Sequence, residues 1–189
     1  ATSGAGPSLT ERRMRGGAAD TAAVASGAAG DGSWSETVDY DDATLRSLAG
    51  TERAIDRIGV QLEVYHALHG RYPSSAADLG TNRGVEALFA ALDAAGRLEG
   101  VIAGDTDGDG RPELLDGWGR PLVYVSPDDY ATTQQWSDGE GASAQVTALR
   151  SRSRDLYQAP ARFQLWSAGP DGRNDGGLRD DVTSFVIRD

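Results

Sequence analysis

The segment from Trp166 to Asp181 concentrates residues that can bind a cation. Its sixteen residues include four glycines and four aspartates, namely Asp171, Asp175, Asp180 and Asp181. The segment has too little apolar surface to offset the cost of ordering a chain, about 1 to 2 kcal/mol per residue. Calcium binds roughly six to eight carboxylate and carbonyl oxygens in irregular geometry, so a bound ion would account for an ordered loop here. A solvated acidic turn is the alternative, because aspartate and glycine also form ordinary turns.

A second acidic stretch has the spacing of a calcium-binding loop. Positions 1, 3, 5, 9 and 12 of a twelve-residue segment carry carboxylates, which are Asp105, Asp107, Asp109, Glu113 and Asp116. Alternate side chains of such a loop point inward, and the glycine at position 6 permits a sharp turn. Position 12 is an aspartate where the longer glutamate is usual, and Pro112 restricts the second half of the loop. We therefore predict a weaker second cation site, with a plain Asp-Gly turn between strands as the alternative.

Catalytic chemistry is not predicted from the remaining polar residues. His66 and His69 lie on one helix near Glu63, and we expect them to form a solvated face rather than a metal site. No serine occupies a nucleophile-elbow context, and no glycine pattern matches a phosphate-binding loop. We assign no catalytic residue, no small-molecule substrate and no organic cofactor.

Composition narrows the possible partners and the environment. The chain of 189 residues carries 18 basic and 29 acidic residues, a formal net charge of -11. A surface this acidic disfavours nucleic acid and anionic membranes. Cysteine is absent, which excludes disulfides and thiolate metal sites. The longest apolar runs are far shorter than the roughly 20 residues of a membrane helix, so we expect the chain as given to be soluble.

The pattern of apolar residues changes near residue 41. Residues 1–40 are rich in alanine, glycine, serine and threonine without a helical or strand period, and are interpreted as a flexible leader. From Asp42 to about His69, apolar residues recur at steps of three and four, which predicts one amphipathic helix. Asp41 or Asp42 can cap its start, and Gly70 can end it. At about 40 Å this helix is too long for a small domain to cover, so part of it should project or pack on a neighbour.

The rest of the chain predicts an α+β domain over residues 41–189. A shorter helix is expected from Val85 to Ala95, followed by strands at 98–103, 122–126, 163–167 and 182–187. One long helix followed by short strands indicates a helix packed on a small antiparallel sheet. Residues 127–160 are predicted to form a long loop with little pattern.

Two of the tryptophans near these strands should be buried and one should not. We expect Trp118 and Trp166 to pack beneath turns of the sheet. Trp136 falls within the predicted loop at 127–160, and we expect it to be partly exposed.

Three motifs, in this order, resemble the major pseudopilins of type II secretion and related type IV pilin-like proteins. The long helix ends in His-Gly-Arg-Tyr-Pro at 69–73, Asp-Gly-Trp-Gly-Arg-Pro-Leu-Val-Tyr follows at 116–124, and Leu-Trp-Ser-Ala-Gly-Pro-Asp-Gly at 165–172 precedes the Asp180 and Asp181 pair. The resemblance spans about residues 45 to 189. It implies a pilin-like fold, in which a long N-terminal helix lies against an antiparallel sheet.

The resemblance also implies a function. Such proteins stack with other pseudopilin subunits into a filament on the periplasmic side of the inner membrane, to which an apolar N-terminal helix anchors them. Their acidic C-terminal loop binds calcium, which here implies side-chain oxygens from Asp171, Asp180 and Asp181 and the carbonyl of Ala168. Asp175 is a spare ligand.

Two departures from the family leave a second functional hypothesis open. The apolar anchor helix is not found in this chain, and the 127–160 segment is longer than the corresponding connection in the family. The alternative is a soluble calcium-dependent binding or adhesion module of the cell envelope, in which the 127–160 segment contacts a ligand.

Overall fold

The computed structural model describes residues 39–76, 80–151 and 155–187. Within this part, the chain from Tyr40 onward belongs to one structural unit. The flexible leader predicted for residues 1–40 lies outside the described residues, apart from its last two positions.

The long amphipathic helix is confirmed as α1, Asp42–His69. The Asp41 carboxylate caps its start by accepting a 2.7 Å hydrogen bond from the Thr44 amide. Gly70 ends it in the left-handed conformation, with φ of 71°. The buried stripe of α1 includes Ile55 and Leu62, so the three- and four-residue spacing in the sequence marks the face that packs on the domain.

The second helix, α2, spans Arg83–Asp93. It begins two residues before the predicted start, after Asn82 in a left-handed conformation with φ of 57°. Val85, Leu88 and Leu92 are buried along one face, as their spacing predicts. The helix therefore packs its apolar stripe into the same core as α1.

Within the described residues, seven short strands follow α2, all paired antiparallel. They are β1 (Ala103–Gly104), β2 (Glu113–Leu114), β3 (Val123–Val125), β4 (Gln134–Ser137), β5 (Ser143–Val146), β6 (Gln164–Ser167) and β7 (Val182–Thr183). β1 pairs with β2 and β4 pairs with β5, while β3, β6 and β7 form a three-stranded sheet with β6 at its centre. The predicted α+β class, with one long helix and small antiparallel sheets, is confirmed.

The three-stranded sheet separates two apolar cores. Adjacent side chains of a strand point to opposite faces, so Leu165 and Trp166 of β6 enter different cores. The first core contains Tyr124 and Leu165 with the buried faces of α1 and α2. The second contains Val123, Val125 and Trp166. Both faces of β6 are therefore covered, and all four of its residues are buried.

The prediction of a patternless loop at 127–160 is wrong. This segment contains a short 3-10 helix, Pro127–Asp129, and the hairpin of β4 and β5. Trp136 of β4 is only 2% exposed, which contradicts its predicted exposure. Its indole nitrogen donates a 2.9 Å hydrogen bond to the carbonyl of Pro121, and its ring joins the second core. The hairpin escaped prediction because its strand residues other than Trp136 and Val146 are small or polar.

The tryptophans predicted to be buried differ from each other. Trp166 is fully buried, as expected, and its indole nitrogen donates a 3.0 Å hydrogen bond to Asn174. Trp118 is half-buried, with the guanidinium carbon of Arg120 lying 5.9 Å from the centre of its ring.

Two predicted strands are much shorter in the structure. Of the segment 98–103, only Ala103 belongs to a strand, because a turn joins the Val101 amide to the Leu98 carbonyl at 3.1 Å. Gly100 within this turn has φ of 70°. The strand predicted at 182–187 ends at Thr183, and Val186 and Ile187 are exposed. Apolar residues alone did not specify strands where no partner strand lies alongside.

The buried position of Trp136 generates a prediction about stability. Trp136→Ala removes a large side chain from the second core and should lower the free energy of unfolding by about 3 to 5 kcal/mol. Leu156→Ala is the control, since Leu156 is 55% exposed, and should change it by less than about 1 kcal/mol. Urea unfolding measures both values. Equal, small effects of the two substitutions would show that the hairpin does not cover the sheet.

Candidate functional site

The acidic C-terminal loop connects β6 to β7, so it leaves and re-enters the central sheet. Gly169 has φ of 64°, and a Cβ atom there would lie 2.4 Å from the Asp180 carbonyl oxygen. The two ends of the loop therefore approach so closely that only glycine fits at this position. Ala168 is fully buried, and Asp171 is exposed.

The turn at 116–120 forms hydrogen bonds to the start of this loop. Asp116 is buried and accepts a 2.6 Å hydrogen bond from the Ser167 hydroxyl. Arg120 donates a 2.8 Å hydrogen bond to the Gly169 carbonyl. Two of the motifs that the sequence analysis singled out are thus in direct contact, and the first positions the start of the acidic loop.

Asp181 is the most unusual carboxylate of the C-terminal loop. The residue is 7% exposed, and its Oδ2 accepts a 2.6 Å hydrogen bond from the Gly177 amide. Its Oδ1 is buried without a hydrogen-bond partner among the described residues. Burial raises the pKa of Asp181 to about 7, and the nearby carboxylates of Asp175 and Asp180 add to the rise. In the part of the chain that the structure describes, no ion pair compensates the charge of this carboxylate.

The other aspartates of this loop are less enclosed. Asp171 accepts a 2.7 Å hydrogen bond from the Arg173 amide, and Asp180 accepts a 3.3 Å hydrogen bond from the Asp171 amide. Asp175 lies 3.5 Å from the Arg179 guanidinium. Within the described ranges, no three acidic groups of this loop offer oxygens within 4.8 Å of one another. The predicted ligands thus lie in one loop, but no three of their carboxylates meet at one position.

The second acidic stretch forms the connection between β1 and β2. The Asp105 carboxylate accepts hydrogen bonds from the amides of Gly108, Asp109 and Gly110 at 2.8, 3.1 and 2.9 Å. The backbone therefore winds around Asp105, as the glycine-rich spacing predicts. One oxygen from each of Asp105, Asp107 and Asp109 lies within 4.8 Å of the others.

Asp116 does not join this group, although it occupies the twelfth position of the predicted loop. Its Oδ1 accepts 2.9 Å hydrogen bonds from the amides of Trp118 and Arg120, and its Oδ2 is bonded to Ser167. Asp116 instead closes the turn that supports the C-terminal loop.

A glutamate from α2 takes a place in the cluster that the sequence analysis missed. One oxygen from each of Glu86, Asp107 and Glu113 lies within 4.8 Å of the others, and Glu86 and Glu113 are buried. These acidic groups could hold a metal ion. Glu86 escaped notice because an acidic residue in the first turn of a helix is the ordinary response to the helix dipole. No pattern in the sequence indicates that the loop at 105–113 lies beside it.

Burial dominates the electrostatics of the two glutamates. It raises the pKa of Glu86, against the opposing hydrogen bond from Arg83. Burial likewise raises the pKa of Glu113, against hydrogen bonds from Thr106 and Asn82. The Asp107 carboxylate raises both pKa values further.

The two histidines pack against tyrosines. The His66 ring stacks on Tyr72 with 4.5 Å between ring centres, and the His69 ring lies 4.2 Å from that of Tyr65. His66 is half-buried and His69 is exposed. The prediction that both histidines face solvent is therefore confirmed for His69 only.

Compared with protein-family models, curated proteins and solved structures, the chain matches none of them. Neither described helix combines the length and the apolar character that crossing a bilayer requires.

The raised pKa of Asp181 predicts how metal-free protein responds to pH. The folded state holds this proton more tightly than the unfolded chain, whose aspartates titrate near 3.8. Protonated Asp181 therefore contributes to the stability of the folded state. This contribution is complete below about pH 4 and is lost as the pH rises through about 7. The free energy of unfolding should therefore fall over this range, by an amount on the order of 4 kcal/mol from Asp181.

Urea unfolding in calcium-free buffer, at several pH values, measures this dependence. Asp181→Asn should reduce this pH dependence of the free energy of unfolding. A smaller dependence of the same sign should remain, because the pKa values of Glu86 and Glu113 are also raised. Asp93→Asn is the matched control, because Asp93 is exposed at the end of α2. A pH dependence that is identical in both variants would contradict the assignment to Asp181.

Proposed function

We propose that this protein is a calcium-stabilised, pseudopilin-like structural subunit of a type II secretion or pilus-like filament. Its role is assembly rather than catalysis, and other pseudopilin subunits are its partners, at the periplasmic face or the cell surface. The arrangement of a long helix packed beside an antiparallel sheet, with the acidic loop joining two of its strands, supports the proposal. The order of the three sequence motifs supports it independently.

The observation that carries the proposal is the buried carboxylate of Asp181, whose Oδ1 has no hydrogen-bond partner among the described residues. A buried charge without a partner is costly, so a group of this kind either takes up a proton or binds a cation. Asp175 and Asp180 lie close enough to raise its pKa, which makes the loop a place of concentrated negative charge. A divalent cation among these groups removes the cost.

Calcium is the cation that this loop suits best. It tolerates irregular geometry and accepts carboxylate and carbonyl oxygens, which are what the loop provides. The ligands we propose are Asp171, Asp180 and Asp181 with the carbonyl of Ala168, and Asp175 is near enough to contribute. Binding requires Asp171 to move inward from its exposed position.

An apolar strip on α1 supports a role in subunit packing. Val60, Val64 and Leu68 are 60, 37 and 65% exposed. Their four-residue spacing places them along one side of the helix, outside the stripe that packs on the sheet. In a filament, a neighbouring subunit would cover this strip, and the calcium loop would hold a second surface in a fixed shape.

Calcium should therefore order the loop and stabilise the fold. At 100 times its Kd, an ion that binds only the folded state adds about 2.7 kcal/mol, which corresponds to a rise in Tm of roughly 5 to 10 °C. Amide hydrogen exchange measured by mass spectrometry should slow in residues 169–181 when calcium is added. Asp181→Asn should abolish this protection, because it removes the central charged ligand.

Asp93→Asn serves as the control and should retain the protection. Unchanged exchange of residues 169–181 in the unmodified protein, at saturating calcium, would rule out the calcium loop.

The coding sequence upstream of Ala1 tests the filament role. A prepilin-type leader followed by about 20 apolar residues is expected for a filament subunit. A cleavable secretory signal in that place would favour the soluble binding module instead.

A further inference from the structure

Glu86 is buried at the start of α2 and has no part in the C-terminal loop. It is 5% exposed, and its Oε1 atom has no hydrogen-bond partner within the part of the chain that the structure describes. Its Oε2 atom lies 2.6 Å from the Arg83 guanidinium. One buried carboxylate oxygen is therefore left without compensation, a situation that folded proteins rarely retain without a ligand or a role.

We propose that Glu86, Asp107 and Glu113 bind a divalent cation that prefers oxygen ligands. The ion would fasten the start of α2 to the acidic loop between β1 and β2. This site is separate from the C-terminal loop and does not rest on the proposed function.

The spacing of the three groups fits such an ion. Oxygens bound to one calcium ion at roughly 2.3 to 2.6 Å lie at most about 5 Å apart. One oxygen from each of the three carboxylates already lies within 4.8 Å of the others. The ion can therefore bind without a large rearrangement of the backbone.

The site carries an excess of negative charge that a divalent cation would neutralise. Five carboxylates, those of Glu86, Asp105, Asp107, Asp109 and Glu113, belong to the two overlapping groups. Among the described residues, two guanidinium groups contact them: Arg83 lies 2.6 Å from Glu86 and 2.8 Å from Asp109, and Arg111 lies 3.8 Å from Glu86. Negative charge exceeds positive charge, and the excess is concentrated beside buried oxygens.

The buried side of the cluster suits the ion better than the exposed side. The Asp105 carboxylate already accepts three backbone amides, and Asp109 pairs with Arg83. These two residues hold the loop closed. Glu86 instead offers an oxygen without a hydrogen-bond partner.

Neighbouring elements hold Glu113 in place. Its carboxylate accepts a 2.9 Å hydrogen bond from the Thr106 amide and a 3.3 Å hydrogen bond from the Asn82 side chain. Asn82 also exchanges hydrogen bonds with the backbone of Ser137 on β4, at 2.9 and 3.0 Å. An ion bound here would therefore connect α2, the acidic loop and the β4–β5 hairpin.

Calorimetric titration with calcium chloride, and separately with manganese chloride, tests the proposal. The unmodified protein should bind two equivalents of calcium. Asp181→Asn should retain one, because it removes only the C-terminal site. In that background, Glu86→Gln or Asp107→Asn should weaken the remaining site by about tenfold or more. Asp107 is in the loop rather than a helix or strand, so its variant should fold even if the Glu86 variant does not.

Glu99→Gln in the same background is the matched control, because Glu99 is an exposed residue outside the cluster. It should bind calcium like Asp181→Asn alone. The inference is overturned if Asp181→Asn binds neither metal, or if the Glu86 and Asp107 variants bind as tightly as the Glu99 control. If the unmodified protein binds only one equivalent of calcium and Asp181→Asn binds it equally well, the C-terminal calcium site is contradicted and the Glu86 site is left standing.

Discussion

The rest of the structure depends on covering both faces of β6. All four residues of this strand are buried, because helices pack on one face and a hairpin packs on the other. Leu165 points into the core formed with α1, whereas Trp166 points into the core that Trp136 completes. Burial of apolar area on two sides gives the short central strand the support that its few hydrogen bonds alone would not provide. Where β6 ends, the chain must turn sharply, and the acidic loop begins at that point.

The turn that precedes β3 and the loop that follows β6 stabilise each other. Asp116 accepts the Ser167 hydroxyl, and Arg120 donates to the carbonyl of Gly169. These contacts join the motifs at 116–124 and 165–172, although the bonded residues are 51 and 49 positions apart in the chain. They also fix the backbone on which Asp181 is buried. Supporting contacts of this kind set the shape of a binding loop before any ligand arrives, which reduces the entropy lost on binding.

Buried carboxylates are the recurring feature of both acidic loops. Glu86, Glu113 and Asp181 all have raised pKa values for the same first reason, which is loss of solvent. Each one also faces further carboxylates, so the cost of burial and the repulsion between like charges act together. Divalent cations at these positions would remove both costs and add a further link between the elements that carry these carboxylates. Under this proposal, metal binding would form part of the folding energy of the domain.

Sequence alone determined the features that rest on local periodicity. The bounds of α1, its cap and its terminating glycine follow from helical spacing and turn chemistry, and the α+β class follows from the order of elements. The acidic loops were also visible, because their composition is unusual over a short range. Tertiary structure decided which carboxylates meet. It placed Glu86 beside the loop at 105–113, and it placed Asp116 in the turn at 116–120 instead of in the acidic cluster. It also buried Trp136, because contacts between residues distant in the chain depend on packing, which local patterns do not encode.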